Sequence, residues 1–171
     1  MNKEIKEIKE IKEIEDIEKI EVEIIGGTGL PGQEKYLMDL KNLVKDKNFE
    51  SVIKFIGPIP NKNIYEYLSN ADLFINTSHT GSLDKAMLEA MAVGVPVISC
   101  NEAMLEVLSN YKEKLMFPKK DAKALAGKIE MVMNFSDEER LKVSKDMLDI
   151  VKKNHGLEKF VAKILNLYGK N

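Results

Sequence analysis

Arginine is almost absent from this chain. Arg140 is the sole arginine among 26 basic residues, so bidentate guanidinium clamps on phosphate are excluded at every other position. Any bound phosphate has to be held by lysine point charges and backbone N–H groups. Cysteine is equally scarce. Cys100 is alone, which excludes an internal disulfide and a thiolate metal cluster and makes a reducing compartment the natural home. The two histidines, His79 and His155, lie far apart without metal-ligand spacing, and neither joins a serine or cysteine nucleophile and a third orienting group in a hydrolase triad. The expectation is therefore no metal and no cofactor. No apolar run approaches the roughly eighteen residues that a membrane helix requires, and the N-terminus lacks the apolar core of a signal peptide. A cytoplasmic protein without a transmembrane segment is expected. The net charge of -2 lacks the cationic excess that binding to nucleic acid or an anionic membrane would need.

What is present is a 171-residue chain, 44% hydrophobic, with enough apolar content for a proper core. Its first part is different. Over residues 1–19 isoleucine recurs every third position, from Ile5 through Ile17, with lysine and glutamate between. A three-residue repeat on a helix advancing 100° per residue moves each isoleucine about 60° around the axis, so the stripe spirals and no fixed seam forms. Lys3 with Glu7 and Lys6 with Glu10 pair at i, i+4, which suits a charged helical or partly disordered arm.

Residues 20–171 instead alternate strand and helix signals, the pattern of a parallel sheet covered on both faces. Strands are expected at 21–25, 51–56, 72–76 and 95–99, with a further short one near 114–117. Helices are expected at 33–47, after a cap at Asn61, at 83–93, near 102–109, and in a tail at 121–134, 136–154 and 157–168. Met87, Met91, Met104, Met116, Met131, Met133, Tyr65 and Tyr67 sit at packing positions, and His155 falls where it caps a helix C-terminus. In such a fold ligands sit outside the carboxyl ends of the strands, which singles out the loops at 26–32, 57–63 and 77–82.

The first loop, Gly27-Thr28-Gly29-Leu30-Pro31-Gly32, has the spacing of a dinucleotide fingerprint. Pro31 stiffens it, however, and the position some twenty residues on, where a ribose-binding acid is wanted, is Val52. A dinucleotide site, a plain turn and a loop approaching a nucleotide phosphate all remain open. The third loop is rich in hydroxyls and glycine and feeds a helix N-terminus, where free N–H groups and the helix dipole favour an anion. Ser82 or Asp84 reads equally well as a simple N-cap. Lys85 and Glu89 fall on one helix face at i, i+4. They read either as a cation for a diphosphate beside a carboxylate for sugar hydroxyls, or as a surface ion pair.

The segment Leu88-Glu89-Ala90-Met91-Ala92-Val93-Gly94-Val95-Pro96-Val97-Ile98 resembles the LEAMA-x-G-x-P-V-I signature of the retaining GT-B glycosyltransferases called group 1, the glycogen-synthase-like family. Ile24-Ile25-Gly26-Gly27, Phe55-Ile56-Gly57 before Pro58, and Ala71-Asp72-Leu73-Phe74-Ile75 extend the similarity in order from about residue 21 to 168. The resemblance implies the nucleotide-sugar-binding, Rossmann-like C-terminal half of such an enzyme: α/β, a doubly wound parallel sheet with C-terminal helices. It makes Glu89 the catalytic candidate, facing the donor's ribose hydroxyls, and turns the loop backbone at Gly81, Ser82 and Leu83 toward the diphosphate. Asp84 and Lys85 supply further polar contact, Gly27 faces the donor from the first loop, and Ile59 takes the position that holds the base. The sequence departs from the family pattern in two places. Gly81 stands where the first glutamate of a Glu-x7-Glu pair belongs, and the arm replaces a strand that carries a phosphate-gripping arginine and lysine.

The expectation is a glycosyltransferase donor domain at residues 20–171 behind an arm at 1–19. It would transfer a sugar from a nucleoside-diphosphate sugar with the help of a missing acceptor-binding half, which could be a separate partner chain. The alternative is a non-catalytic nucleotide-sugar-binding or interaction module, a split or truncated remnant.

Overall fold

The structure is a computed structural model that describes residues 20–29, 32–79 and 81–168. The isoleucine-rich arm lies outside the described residues. The chain divides into two compact units with the boundary between Ile64 and Tyr65.

The first unit is one strand-helix-strand turn. Strand β1 (Val22–Ile25) pairs in parallel with β2 (Ile53–Gly57), and helix α1 (Gln33–Asp46) makes the crossover that parallel pairing demands. Val22 lies opposite Ile53 and Ile24 opposite Phe55, and an irregularity after Ile24 brings Ile25 opposite Gly57. Val44, Phe49 and Val52 are its buried apolar residues. Past β2, Asn61 begins a 3-10 turn (Asn61–Asn63) that Pro60 precedes, with no side-chain cap. The expected Asn61 cap is thus replaced by a turn whose Asn63 N–H donates to the Pro60 carbonyl at 2.8 Å.

Helix α2 (Ile64–Ser69) leads into the second unit, where β3 (Phe74–Asn76) pairs in parallel with β4 (Val97–Ser99) across helix α3 (Lys85–Ala92). All three residues of β4 are buried, as a short strand entered from the apolar run 95–98 should be, and Ser99 ends it as a buried polar residue. Short helices α4 (Met104–Val107) and α5 (Lys112–Leu115) follow, then the long helices α6 (Ala122–Met133), α7 (Asp137–Asn154) and α8 (Leu157–Tyr168). The core of this unit is set by Met87, Met91, Ile98, Met104, Leu115 and Met147, all with no exposure.

Three further expectations need correction. The strand near 114–117 is a helical turn, α5, and only Met116 bridges in parallel to Ser99. The apolar run Leu115-Met116-Phe117 is too short for periodicity to separate a strand from a buried helix end. Met131 and Tyr65 are exposed at 37% and 65%, so neither fills the core. The cap expected at His155 is observed, and two further helix starts carry side-chain caps. Asp121 accepts from the Ala124 N–H at 2.9 Å, Ser136 and Glu139 close a capping box on α7, and His155 is the C-cap of α7 with its backbone N–H donated to the Val151 carbonyl.

Candidate donor site

The third loop leaves the carboxyl end of β3 and returns as α3, and buried polar side chains stitch it to the strand ends. Asn76, the last residue of β3, is 8% exposed. Its Nδ2 donates to Asp84 Oδ2 at 3.1 Å, while its Oδ1 accepts from the Ser78 N–H at 3.1 Å and from Ser99 Oγ at 3.5 Å. The other Asp84 oxygen accepts from the Ala86 N–H at 3.1 Å, so Asp84 is the N-cap of α3. From the far side, Asn101 Nδ2 donates to the Ser82 carbonyl at 2.7 Å, and Asn101 Oδ1 accepts from the Ala103 N–H at 3.0 Å. The Asn101 N–H in turn donates to Ser99 Oγ at 3.0 Å. Each polar atom has a partner, which is what makes so polar a cluster tolerable when Ser99 and Asn101 have no exposure.

The loop that this cluster supports is open to solvent. Gly81, Ser82 and Leu83 are exposed, and Asp84 is half-buried. Gly81 has φ 71°, and an added Cβ there would meet nothing within 4 Å. A glutamate at this position would fit sterically but would hold a left-handed backbone at a cost of about 1–2 kcal/mol. On α3, Lys85 Nζ lies 3.0 Å from Glu89 Oε1, with Lys85 77% and Glu89 29% exposed. The two side chains do form an ion pair, and it leaves the lysine almost wholly in water. His79 is exposed. Cys100 Sγ lies 3.8 Å from the Ser78 carbonyl, and burial pushes its thiol up, away from the reactive thiolate.

Gly27 and Ile59 belong to the first unit. The Gly26 N–H donates to the Gly57 carbonyl at 2.9 Å, and a Cβ on Gly27 would sit 3.6 Å from the Pro58 ring, so these two loops lie side by side. Gly27 is exposed and Ile59 half-buried. Ahead of α1, the Gly29 and Gly32 N–H groups are taken by Gln33 Oε1 and Glu34 Oε2, both at 3.0 Å. The structure therefore gathers the sequence-predicted residues in two sets, Gly27 with Ile59 and Gly81 through Glu89.

The sole arginine is engaged elsewhere. Arg140 donates to the carbonyls of Phe135 and Met133 at the end of α6 and lies 3.8 Å from Asp72 Oδ1. A recess of about 220 Å³ beside it, lined by Asp72, Gly94, Pro96 and Ser144, faces the amino end of β4 and not the loop. Sequence reasoning missed Asn76, Ser99 and Asn101 as loop supports. The available signal was the set of polar residues placed where short apolar strands end.

A profile of the glycosyl transferases group 1 family matches residues 2–147. The chain belongs to that family. Among curated relatives, the amylovoran biosynthesis glycosyltransferase AmsK of Erwinia amylovora is 34% identical over 62% of this chain and 26% of its own length. The putative colanic acid biosynthesis glycosyltransferase WcaL of Salmonella typhimurium is 33% identical over 53% of this chain and 24% of its own. The chain therefore spans about a quarter of the length of these relatives. Anabaena Alr3699/HepE, solved in complex with UDP, superposes with a TM-score of 0.82 over 98% of this chain and 44% of its own, at 16% identity. The C-terminal domain of the Francisella tularensis group 1 protein LpcC gives 0.74 over 91% of this chain and 78% of its own, at 23% identity. The fold is thus the α/β, Rossmann-like C-terminal half of a GT-B glycosyltransferase, as the LEAMA-like segment implied.

Proposed function

We propose that this chain is the donor half of a sugar transferase. It binds a nucleoside-diphosphate sugar, with Glu89 facing the donor hydroxyls and the loop backbone at Gly81, Ser82 and Leu83, with Asp84 and Lys85, facing the diphosphate. By the family resemblance Gly27 and Ile59, in the first unit, have donor-facing roles of their own, Ile59 toward the base. The observation that carries the reading is the signature helix α3. It begins at the carboxyl end of a parallel strand pair, where α/β folds bind ligands, and it presents Lys85 and Glu89 on one face behind an exposed loop. The UDP bound by HepE supports a nucleoside diphosphate as the ligand class.

Transfer itself needs an acceptor held against the donor and water kept out. In this reading an acceptor-binding half, in the same longer protein or in a separate chain, completes the cleft, and the anomeric configuration is retained as the family resemblance implies. The nucleotide sugar is the substrate, no metal or cofactor takes part, and the reaction runs in the cytoplasm. Calorimetric titration with UDP and GDP, with NAD as the control, tests the binding step. Heat with a nucleoside diphosphate and none with NAD is expected, and no heat with any nucleotide at millimolar concentration would sink the proposal.

A further inference from the structure

We infer that Asn101, well downstream of the signature helix, is a positioning residue for the donor diphosphate, acting through the Ser82–Leu83 peptide. The inference rests on the donor-binding reading above and adds a residue outside the family signature.

Among the described residues no peptide is cis, so the Ser82 C=O and the Leu83 N–H point in opposite directions from one planar unit. Asn101, fully buried, draws the carbonyl inward through a 2.7 Å bond from Nδ2. The N–H of the same peptide is thereby turned outward, on a loop segment where both Ser82 and Leu83 are exposed. Among the described residues the Leu83 N–H has no acceptor. The orientation of the Asn101 amide is fixed at both ends. The Ser82 carbonyl requires the NH₂ and the Ala103 N–H requires the oxygen, so a flipped amide would oppose both. Asn101 also donates its own N–H to Ser99 Oγ, which in turn donates to Asn76 Oδ1, so the peptide is held from the ends of both strands. A backbone donor fixed this way costs no reorganisation when a phosphate oxygen arrives, which is the arrangement that favours charge recognition. In a chain whose one arginine is engaged at the end of α6, such a donor replaces a side-chain clamp.

The test uses amide NMR on the whole chain. On titration with UDP, or GDP if the guanine nucleotide is the one bound, the Leu83 amide proton is expected to move downfield. The corresponding nucleoside alone should leave it in place. Asn101→Asp keeps the acceptor for Ala103 but sets an oxygen against the Ser82 carbonyl. It is expected to weaken diphosphate binding by about tenfold or more while nucleoside affinity is unchanged. A folded variant that loses diphosphate and nucleoside affinity by the same factor would reduce Asn101 to a structural role and overturn the inference. A parent protein that binds UDP with the Leu83 amide unmoved would also overturn it, whether or not the variant folds, and would leave the donor reading standing. Failure of the parent to bind either diphosphate would remove the donor reading itself, and the inference with it.

Discussion

Gly94 ends the signature helix, and replacing it with alanine tests why a glycine belongs there. Its φ of 82° places it in the left-handed region, which costs an L-residue about 1–2 kcal/mol. A Cβ would also stand 2.4 Å from Ser144 Oγ on α7, roughly an ångström inside ordinary contact, while the next nearest atoms of Ser144, at 3.4 and 3.6 Å, lie at ordinary distances. Relieving that contact requires Ser144 to change rotamer or α7 to shift, and overpacking of this kind costs about 1–3 kcal/mol. Gly94→Ala should therefore lose about 2–5 kcal/mol in urea unfolding followed by circular dichroism, as a lower midpoint with unchanged slope. In a Ser144→Ala background the offending oxygen is gone, and the same substitution should cost only the backbone share of about 1–2 kcal/mol. A cost below about 1 kcal/mol, or an equal cost in both backgrounds, would refute the claim that close approach of α7 fixes this position.

Glu89→Ala should weaken UDP binding by about ten- to a hundredfold, the worth of a hydrogen bond to a charged group. It should change stability by less than about 0.5 kcal/mol, because its Lys85 partner is 77% exposed, and unchanged UDP affinity would remove Glu89 from the site. Ser136→Ala, which opens the capping box of α7, should lower stability by about 1 kcal/mol in the same unfolding assay without altering nucleotide affinity. Tyr111 gives a pH signature. Burial, and then its 2.5 Å hydrogen bond to Asp146, push its phenol from the ordinary 10.0 up to about 12. Because the folded value is the higher one, the stabilisation is complete below pH 10 and fades as pH rises through 12. The midpoint gap between the parent and Tyr111→Phe should therefore shrink across that window, and a constant gap would contradict it.

Much of the fold could be read from local signals. Apolar spacing located α3 and the long helices α6 and α7, Asp84 was one of two cap candidates for α3, and the apolar run at 95–98 announced strand β4. What escaped depended on distant partners. Asn101 reaches back to Ser82 and Ser99 to Asn76, and neither pairing leaves a periodic trace. The left-handed backbone at Gly81 was hidden in the same way, since a glycine in a loop does not reveal the sign of its φ. The alternatives for Asp84 and for Lys85 with Glu89 were legible as alternatives. The structure gives the cap to Asp84 and the ion pair to the other two, and an ion pair this exposed still leaves Lys85 in water where a diphosphate would meet it.

The central claim is that this chain holds a nucleoside-diphosphate sugar by its donor portion, and nucleotide titration of the purified protein tests it most directly. Saturable binding of UDP or GDP, absent for NAD and weakened in Glu89→Ala, is the predicted result. Absence of binding at millimolar concentration for every nucleoside diphosphate, with the protein folded, would contradict it.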